Sequence, residues 1–325
     1  MTAVETREVA RDEADIRLDR WFKRHYPGLS HGRLEKLLRT GQVRVDGGRV
    51  KAGERLRPGQ AIRVPPLGEA ATPKPRLRPP VSAHDAKDLR ARVLFEDKDV
   101  IVIDKPAGLA VQGGSKTSRH LDGMLEALAD KGGERPRLVH RLDKDTSGVL
   151  VLACSAAAAN RLGKAFRGRQ VNKLYWALVV GEHERDQGRI DLALAKKAGA
   201  RGERMERDGD GQAAVTDFAV IDRVGRQAAW LALRPRTGRT HQLRVHCAAI
   251  GTPILGDGKY GGGAAFLSGV PSKALHLHAR AIELPRRGGG VVGVTAPLPG
   301  HMAETWKLFG FDANDTNDPF AEVIF

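Results

Sequence analysis

Apolar side chains in the first 65 residues recur three or four positions apart and then begin to alternate. The helical spacing covers Leu18, Trp21 and Phe22 in one stretch and Leu34, Leu37 and Leu38 in the next. This periodicity predicts two short amphipathic helices, with Ser30 as the cap of the second and Gly41 as its end. Asp46–Gly47 is a hairpin turn signal, and the apolar positions of 61–64 can close a small sheet. We predict a helix-hairpin module over residues 15–66.

From about residue 90 the apolar pattern becomes that of a sheet. The strand-like segments read RVLFEDKDVIVIDK, GVLVLA, LYWALVVG, AAVTDFAVI and AAWLALRP, each rich in β-branched or aromatic residues. AAAANRLGKAFR, which starts at Ala156, is the clearest helical pattern. Few other long helical patterns occur, so we predict an α+β fold with a mixed, mainly antiparallel sheet over residues 90–310 rather than a doubly wound fold.

Composition marks the segments between and after these two regions. Six of the 17 prolines lie between Pro65 and Pro80, which predicts an extended, semi-rigid linker over residues 67–89. Residues 196–212 are polar and Gly-rich, and we expect a loop there. Residues 311–325 carry Asp and Glu without one Lys or Arg, which predicts a mobile acidic tail.

The chain is strongly basic, with 54 Lys and Arg against 39 Asp and Glu and a formal net charge of +15. The charge is concentrated, because residues 17–65 alone hold 13 basic and four acidic side chains. Such a balance favours a polyanionic partner, with nucleic acid as the leading candidate. A solvated basic face without a partner is the alternative that charge alone leaves open.

Several broad classes of protein do not fit. The longest apolar run, residues 149–159, is far shorter than the roughly 20 residues that a membrane-spanning helix needs. The acidic amino-terminal residues predict no secretory or mitochondrial leader, so we expect a cytoplasmic protein. Cys154 and Cys247 are too few for a disulfide framework or a zinc site, and we expect both to be inert. No coiled-coil heptad is evident, and we expect a monomer.

Three familiar catalytic or phosphate-binding motifs are absent in their functional form. GDGKYG, beginning at Gly256, matches a dinucleotide fingerprint but lacks the strand-turn-helix setting. The segment after Gly108 has glycine where a Walker motif needs lysine. Ser147 lies in TSG rather than in the nucleophile elbow of hydrolases.

Two pairs of histidines also invite a metal hypothesis, His241 with His246 and His276 with His278. No acidic residue or cysteine stands at ligand spacing, and strand alternation would turn one member of each pair inward. We therefore expect core and surface histidines, and no metal.

Two segments are dense in polar residues, LVHRLDKDTSGVLVLA and RPRTGRTHQLRVH. Polar residues at this density beside a strand are often functional. In the first segment we expect Asp145, Thr146 and Ser147 to form a turn that satisfies backbone groups. In the second, Arg239 and Arg244 stand five apart on a predicted strand, and an arginine fork facing a carboxylate would hold that carboxylate ionised.

These motifs resemble, in order and spacing, the RluA family of pseudouridine synthases. The resemblance rests on HRLDKDTSG, Lys105-Pro106-x-Gly108, KLYWALVVG, GRTHQLRVH, GTPILGD and LHLHA, and it spans roughly residues 90–305. It implies the pseudouridine synthase fold and the isomerisation of uridine to pseudouridine in RNA. In that family the reaction needs no cofactor and no metal.

The resemblance also implies the site residues. Asp143 of HRLD would be the nucleophile, at C1′ of the ribose or at C6 of the uracil, and Arg244 would oppose its carboxylate. Tyr175 would stack on the uracil and help to remove the C5 proton. Arg141 would fill the space that a flipped uridine vacates, because uridine C1′ cannot be reached inside a stacked helix.

The amino-terminal module resembles the S4-like RNA-binding domain, through its helix pair, GQVRVDGGRV and GERLRPGQAIRV. This likeness implies that Arg33, Lys36, Arg39 and Arg44 lie near RNA phosphates. The order of modules is most similar to family members that modify large-subunit ribosomal RNA. We therefore expect ribosomal RNA as partner and no membrane.

Two other classes of function fit the sequence less well. A catalytically silent RNA-binding or ribosome-assembly factor would be expected to lose at least one of Asp143, Tyr175 and Arg244, and all three are present. A phosphate-dependent or metal-dependent hydrolase is disfavoured by the absent Walker lysine and ligand spacings.

Overall fold

The computed structural model describes residues 4–67, 81–114, 117, 119–130, 132–182, 185–199, 202–315 and 319–320. The chain divides into two compact units, Met1–Pro79 and Pro80–Phe325. Within the described ranges, no helix has the length and apolar character needed to cross a bilayer.

The first unit packs two helices on a small sheet. Its elements are β1 (Glu5–Glu8), α1 (Leu18–His25), α2 (His31–Arg39), β2 (Arg44–Val45) and β3 (Ala61–Val64). The strands pair antiparallel in the order β1-β3-β2. Trp21, Phe22 and Ile62 are buried in the shared core, and the Ser30 hydroxyl accepts a hydrogen bond from the Arg33 N–H at the start of α2.

The module starts earlier than the predicted boundary at residue 15. Strand β1 pairs along β3, with Glu5 opposite Val64 and Glu8 opposite Ala61, so it belongs to the same sheet. Its sequence, ETRE, has no apolar alternation that could have predicted it, because all but one of its residues are exposed. The predicted Asp46–Gly47 turn is present, with positive φ at both residues.

The second unit is built around one large sheet. Its first elements are α3 (Ala83–Ala91), β4 (Val93–Glu96), β5 (Val100–Lys105), α4 (Leu121–Met124), β6 (Arg137–Leu138), β7 (Ser147–Ala153), α5 (Ala156–Arg167) and β8 (Asn172–Val180). The remaining ones are β9 (Gln187–Asp191), β10 (Leu194–Gly199), β11 (Gly202–Arg207), β12 (Val215–Val224), β13 (Ala228–Pro235), α6 (Gln242–Ala249), β14 (Leu277–Pro285), β15 (Val291–Thr295) and α7 (Gly300–Phe309).

The main sheet runs in the order β4-β5-β7-β14-β8-β13-β12-β9, with β15 on β14 and β6 on β7. Within the described ranges β7 and β14 are the one parallel pair of this sheet, so the predicted mixed, mainly antiparallel α+β architecture is confirmed. Both faces are covered. On β8, Ala177 packs with Leu243 of α6 on one face, and Trp176 packs with Trp306 of α7 on the other.

The boundaries of the predicted linker and tail differ from the structure. Helix α3 lies inside the predicted linker 67–89; it was not visible in the sequence because Leu89 is its one buried residue. Residues 68–80 lie outside the described residues. In the predicted tail, Phe311 and Phe320 are buried, so these parts pack on the domain, whereas 316–318 and 321–325 lie outside the described residues.

The predicted loop at 196–212 is largely a two-stranded antiparallel hairpin formed by β10 and β11. Its two segments, LAKKAG and GERMER, carry charges at half of their positions and lack an apolar alternation that would mark them as strands.

The close pairing of β7 with β14 requires a glycine. Gly148 has φ of +104°, and a Cβ built there would lie 2.2 Å from the carbonyl oxygen of Ala279 on β14. Since that oxygen is backbone, it cannot move aside cheaply. The glycine of TSG therefore permits the strand contact that places the HRLD segment near the start of β14.

We expect Gly148→Ala to lower the free energy of unfolding by about 2–4 kcal/mol, from overpacking against backbone and an unfavourable positive φ. Gly163→Ala, in helix α5, is the matched control, because its Cβ would meet the flexible end of Arg167 at 3.3 Å and nothing nearer. A helical Gly→Ala change stabilises by roughly 0.5–1 kcal/mol. Urea unfolding followed by circular dichroism measures both. Equal effects of the two changes would contradict the assigned role of Gly148.

Candidate active site

Asp143 lies in a tightly held turn between β6 and β7. The Thr146 N–H donates to the Asp143 carbonyl at 3.2 Å, and the Gly108 N–H donates to the Lys144 carbonyl at 2.9 Å. The turn therefore spans Asp143 to Thr146 rather than the expected 145–147, because Ser147 is already the first residue of β7. The Ser147 hydroxyl meets His278 at 2.9 Å rather than a backbone group, so the expected backbone-satisfying role is wrong. The Asp143 side chain is 25% exposed, so it is accessible to a ligand but partly shielded from water.

Lys105, at the end of β5, supports this turn through buried hydrogen bonds. Its side chain is fully buried, and its ammonium donates to the carbonyls of Pro106 at 2.8 Å, Leu109 at 2.9 Å and Lys144 at 3.0 Å. Burial lowers the pKa of Lys105 to about 8, against the opposing attraction of Asp145, Asp143 and Asp104. A buried cation thus fixes the backbone one residue from Asp143. The sequence marked Lys105 only as part of a family motif.

Tyr175 stands on β8 across a small pocket from Asp143. The pocket has a volume of about 100 Å³, and its walls include Arg141, Asp143, Tyr175, Arg244 and Leu277. Burial raises the pKa of Tyr175 well above its usual value, and the charge of Asp143 adds to this. The phenol is therefore protonated at neutral pH.

Arg244 lies on helix α6, and the predicted strand through Arg239 and Arg244 is wrong. Residues Gln242 to Cys247 are all buried, so the segment shows no one-sided pattern from which a helix could be recognised. Arg239 lies before the helix and donates from Nε to the Ala213 carbonyl at 3.2 Å.

Arg244 forms the expected two-point bond to a carboxylate, but the carboxylate is that of Asp257 and not that of Asp143. Arg244 donates to Asp257 from Nε at 2.8 Å and from Nη2 at 2.7 Å, with Asp257 wholly buried. Burial alone would lower the pKa of Arg244, but the hydrogen bonds and charge of Asp257 raise it, and Asp143 adds at longer range. The expected direct Arg244–Asp143 pair is thus replaced by an Arg244–Asp257 pair whose field reaches Asp143.

His241 lies close to Asp143, with Nε2 3.8 Å from Oδ1. Neither His241 nor Asp257 was singled out from the sequence as part of the catalytic site. The sequence signal for Asp257 is GDGKYG, which also supplies Tyr260, although this segment lacks the setting of a dinucleotide motif.

Arg141 is exposed on the rim, where its Nη2 donates to the Thr240 hydroxyl at 3.2 Å. It lines both the small pocket and an adjoining cleft of about 880 Å³. The basic residues that line this cleft are Arg141, Arg167, Arg169, Lys173, Arg189, Arg234, Arg236 and Arg239. Asp191 is the acidic residue found in the same lining, so the cleft is strongly cationic.

A buried carboxylate organises one wall of the cleft. Asp217 on β12 is wholly buried and accepts from Arg189 at 2.7 Å and from Arg236 at 2.6 Å, with Arg234 at 3.7 Å. Burial would raise the pKa of Asp217, but its bonds to Arg189 and Arg236 prevail and lower it. The carboxylate therefore stays ionised and fixes three guanidinium groups toward the cleft.

The histidine pair at the start of β14 is structural. His276 and His278 are both buried, so the prediction that alternation turns one of them outward is wrong; His276 lies before β14 begins. His276 is 2.9 Å from the Thr305 hydroxyl and His278 is 2.9 Å from the Ser147 hydroxyl. Burial lowers the pKa of His276 to about 4 and that of His278 to about 3. Among described residues no cluster of three metal-ligating side chains occurs.

Both thiols lack the character of a nucleophile. Burial raises the pKa of Cys154 to about 11 and that of Cys247 to about 12, so both stay protonated at neutral pH.

In the first unit, Arg33, Lys36 and Arg39 are exposed along α2, as the sequence predicts for residues that could meet phosphates. Arg44 is half-buried, and its guanidinium donates to the carbonyls of Gly41 and Gly47. These bonds place it in the support of the turn, and its expected RNA contact stays a prediction.

Comparisons with known proteins agree with this geometry. The RNA pseudouridylate synthase family matches residues 99–249. An uncharacterised RNA pseudouridine synthase of Synechocystis is 32% identical over 90% of this chain and 89% of its own length. Ribosomal large subunit pseudouridine synthase C of Rickettsia bellii is 35% identical over 88% of this chain and 95% of its own length.

A solved structure gives the same result. Human RNA pseudouridylate synthase domain containing 4 aligns with a TM-score of 0.60 and 30% identity, over 69% of this chain and 95% of that one. The expected fold and family are confirmed by this structural match and by relatives that span most of the chain, whereas the S4-like likeness stays a prediction. The chain belongs to the RNA pseudouridylate synthase family.

Proposed function

We propose that this pseudouridine synthase isomerises uridine in large-subunit ribosomal RNA, with Asp143 as the nucleophile. The observation that carries the residue assignment is the turn that holds Asp143 at the same pocket as Tyr175, pinned by Lys105 beneath it. The substrate class is supported by relatives named ribosomal large subunit pseudouridine synthase C in Rickettsia and Salmonella.

The reaction conserves every atom of the nucleotide. The bond from ribose C1′ to uracil N1 breaks, the uracil rotates, a bond from C1′ to C5 forms, and the C5 proton is lost while N1 gains one. The Asp143 carboxylate would attack C1′, or C6 of the uracil, and leave again when the new bond is made. A carboxylate is a weak nucleophile, so its fixed position supplies much of the rate.

Tyr175 supports the base rather than acting as a ready phenolate. Its raised pKa keeps the proton on the hydroxyl, and its ring faces the pocket beside Asp143. We assign it to stacking on the uracil. Removal of the C5 proton through its oxygen would need that hydroxyl proton to leave first.

Entry of the target uridine into the pocket requires flipping out of the RNA stack, at a cost of a few kcal/mol. Arg141, exposed at the rim of both the pocket and the cleft, is placed to take the vacated space. The basic cleft adjoins the pocket, and its fixed guanidinium groups suit phosphates. We assign the cleft to the RNA that flanks the target.

The first unit would add affinity for folded RNA through its basic α2 surface. A silent RNA-binding factor with the same fold is disfavoured, because the pocket keeps Asp143, Tyr175 and the paired Arg244.

We expect Asp143→Asn to lower the single-turnover rate by on the order of a thousandfold or more, since an amide of equal size cannot attack. RNA affinity should stay near wild type. The exposed Asp145→Asn protein is the matched control and should keep most of its activity. Conversion is measured on a short uridine-containing stem-loop; a wild-type rate for Asp143→Asn would rule out the assignment.

We expect Arg244→Lys to lower both stability and rate, because lysine cannot form the two-point bond and leaves Asp257 buried with an incomplete partner. Breaking a buried pair costs about 3–5 kcal/mol, and lysine should retain part of it. Arg226→Lys is the control, since the Arg226–Glu182 pair is largely exposed. Thermal unfolding and single-turnover kinetics measure both proteins. Identical behaviour of the two would show that the Asp257 fork is unimportant.

The triple change Arg33→Gln, Lys36→Gln, Arg39→Gln should flatten the salt dependence of binding to ribosomal RNA. Each lost phosphate contact lowers the slope of log affinity against log salt by roughly 0.7–0.9, so the expected reduction is about two to three. The maximal rate on a short saturating stem-loop should hold. An unchanged slope would indicate that this surface is a solvated basic face that does not contact RNA.

A further inference from the structure

His241 lies between the proposed nucleophile and Tyr260. Its Nδ1 is 2.6 Å from the Tyr260 hydroxyl, and its Nε2 is 3.8 Å from Asp143 Oδ1. The backbone of His241 is left-handed, with φ of +53°, at the residue before helix α6. For a residue other than glycine this conformation is uncommon, so the surrounding contacts fix where the ring stands.

The hydrogen bonds at Tyr260 have a direction. The Met205 N–H, on strand β11, donates to the Tyr260 hydroxyl oxygen at 3.3 Å. That oxygen therefore accepts on one side, and its own hydrogen is satisfied if it donates to His241 Nδ1. Burial raises the pKa of Tyr260, so the hydroxyl proton is present for this bond.

The accepting role of Nδ1 sets the imidazole tautomer. In neutral histidine one ring nitrogen accepts while the other carries hydrogen, so Nε2 bears the proton and faces Asp143. Burial lowers the pKa of His241, against the attraction of Asp143 and Asp257 and together with the repulsion of Arg244 and Lys259. The ring is thus held neutral, with its N–H toward the carboxylate.

Tyr260 is itself fixed by the buried pair of the active site. Its backbone N–H donates to Asp257 Oδ1 at 3.2 Å, and the Arg244 guanidinium lies 5.1 Å from its ring centroid. On the other side, Met205 packs against the small cluster that contains Leu194 and Val245. The hairpin of β10 and β11 is therefore coupled to α6 and to the Tyr260 hydroxyl at once.

We propose that Tyr260 and His241 are positioning residues, forming a hydrogen-bond chain that runs from the β10–β11 hairpin to the Asp143 carboxylate and orients it for attack. This inference rests on the proposed function, in which Asp143 is the nucleophile. The last link, at 3.8 Å, is longer than a hydrogen bond. Catalytic hydrogen bonds are often long without substrate and tighten when it binds, so this link closes as RNA fills the pocket.

Two substitutions at His241 test the contacts of Nδ1 and Nε2 separately. The amide of His241→Gln can place an N–H where Nε2 stands, whereas His241→Asn can accept from Tyr260 but is too short to reach Asp143. The backbone bias runs the other way, because Asn tolerates left-handed φ better than Gln. If the two variants differed only in how well they fold, His241→Asn would be the more active one. The proposed hydrogen bonds predict the opposite order, with His241→Gln the faster enzyme.

The experiment measures single-turnover conversion of a uridine-containing stem-loop at saturating full-length protein, with RNA affinity and melting temperature measured alongside. We expect Tyr260→Phe and His241→Asn each to lower the rate about tenfold, with His241→Gln recovering most of it and RNA affinity unchanged. The double variant Tyr260→Phe/His241→Asn should be no slower than His241→Asn alone, since both break one chain. Tyr26→Phe, which removes a hydroxyl bonded to Glu5 in the other unit, is the matched control and should equal wild type.

Any one of three results would overturn the proposed hydrogen-bond chain. These are a wild-type rate for Tyr260→Phe, equal losses of rate in His241→Gln and His241→Asn, and additive losses in the double variant. The Asp143→Asn protein, assayed in parallel, separates this failure from that of the proposed function. If Asp143→Asn is inactive while Tyr260→Phe is fully active, only the chain is wrong. If Asp143→Asn is active, the nucleophile assignment itself has failed.

Discussion

The position of the Asp143 turn depends on one buried ammonium group. Lys105 donates to the Lys144 carbonyl next to Asp143 and to the carbonyls of Pro106 and Leu109, which follow β5. A buried cation satisfied by three carbonyl oxygens resists displacement, because each lost bond would leave polar groups unpaired away from water. The loop that carries the carboxylate is thereby tied to the end of β5 rather than left as an independent surface turn.

The opposite wall of the pocket depends on a second buried charge. Asp257 receives the fork of Arg244 and the backbone N–H of Tyr260, so one carboxylate fixes a helix and a loop. Asp217 does the same for the arginines of the cleft. The pocket and the cleft thus share one arrangement, in which a buried acidic side chain orders basic groups around it. Buried pairs of this kind add little net stability but specify geometry when every partner is satisfied.

The strands could be predicted where both faces of the sheet are buried, as in GVLVLA of β7, and α5 could be predicted from its one-sided pattern. Elements without a periodic pattern of apolar residues could not be predicted. Strand β1 and the β10–β11 hairpin are largely polar, and α6 is buried on all sides. In the site, motif likeness placed Asp143 and Tyr175 at one pocket, but it could not say that Arg244 pairs with Asp257, since partner choice depends on the path of the 256–261 loop in space.

The most direct test is a crystal structure of the Asp143→Asn protein bound to a substrate RNA stem-loop. We expect a flipped uridine in the pocket, with ribose C1′ against position 143, the uracil on Tyr175, and flanking phosphates along the arginines of the cleft. A target uridine that remains stacked in the RNA, or that enters the protein away from Asp143, would contradict this expectation.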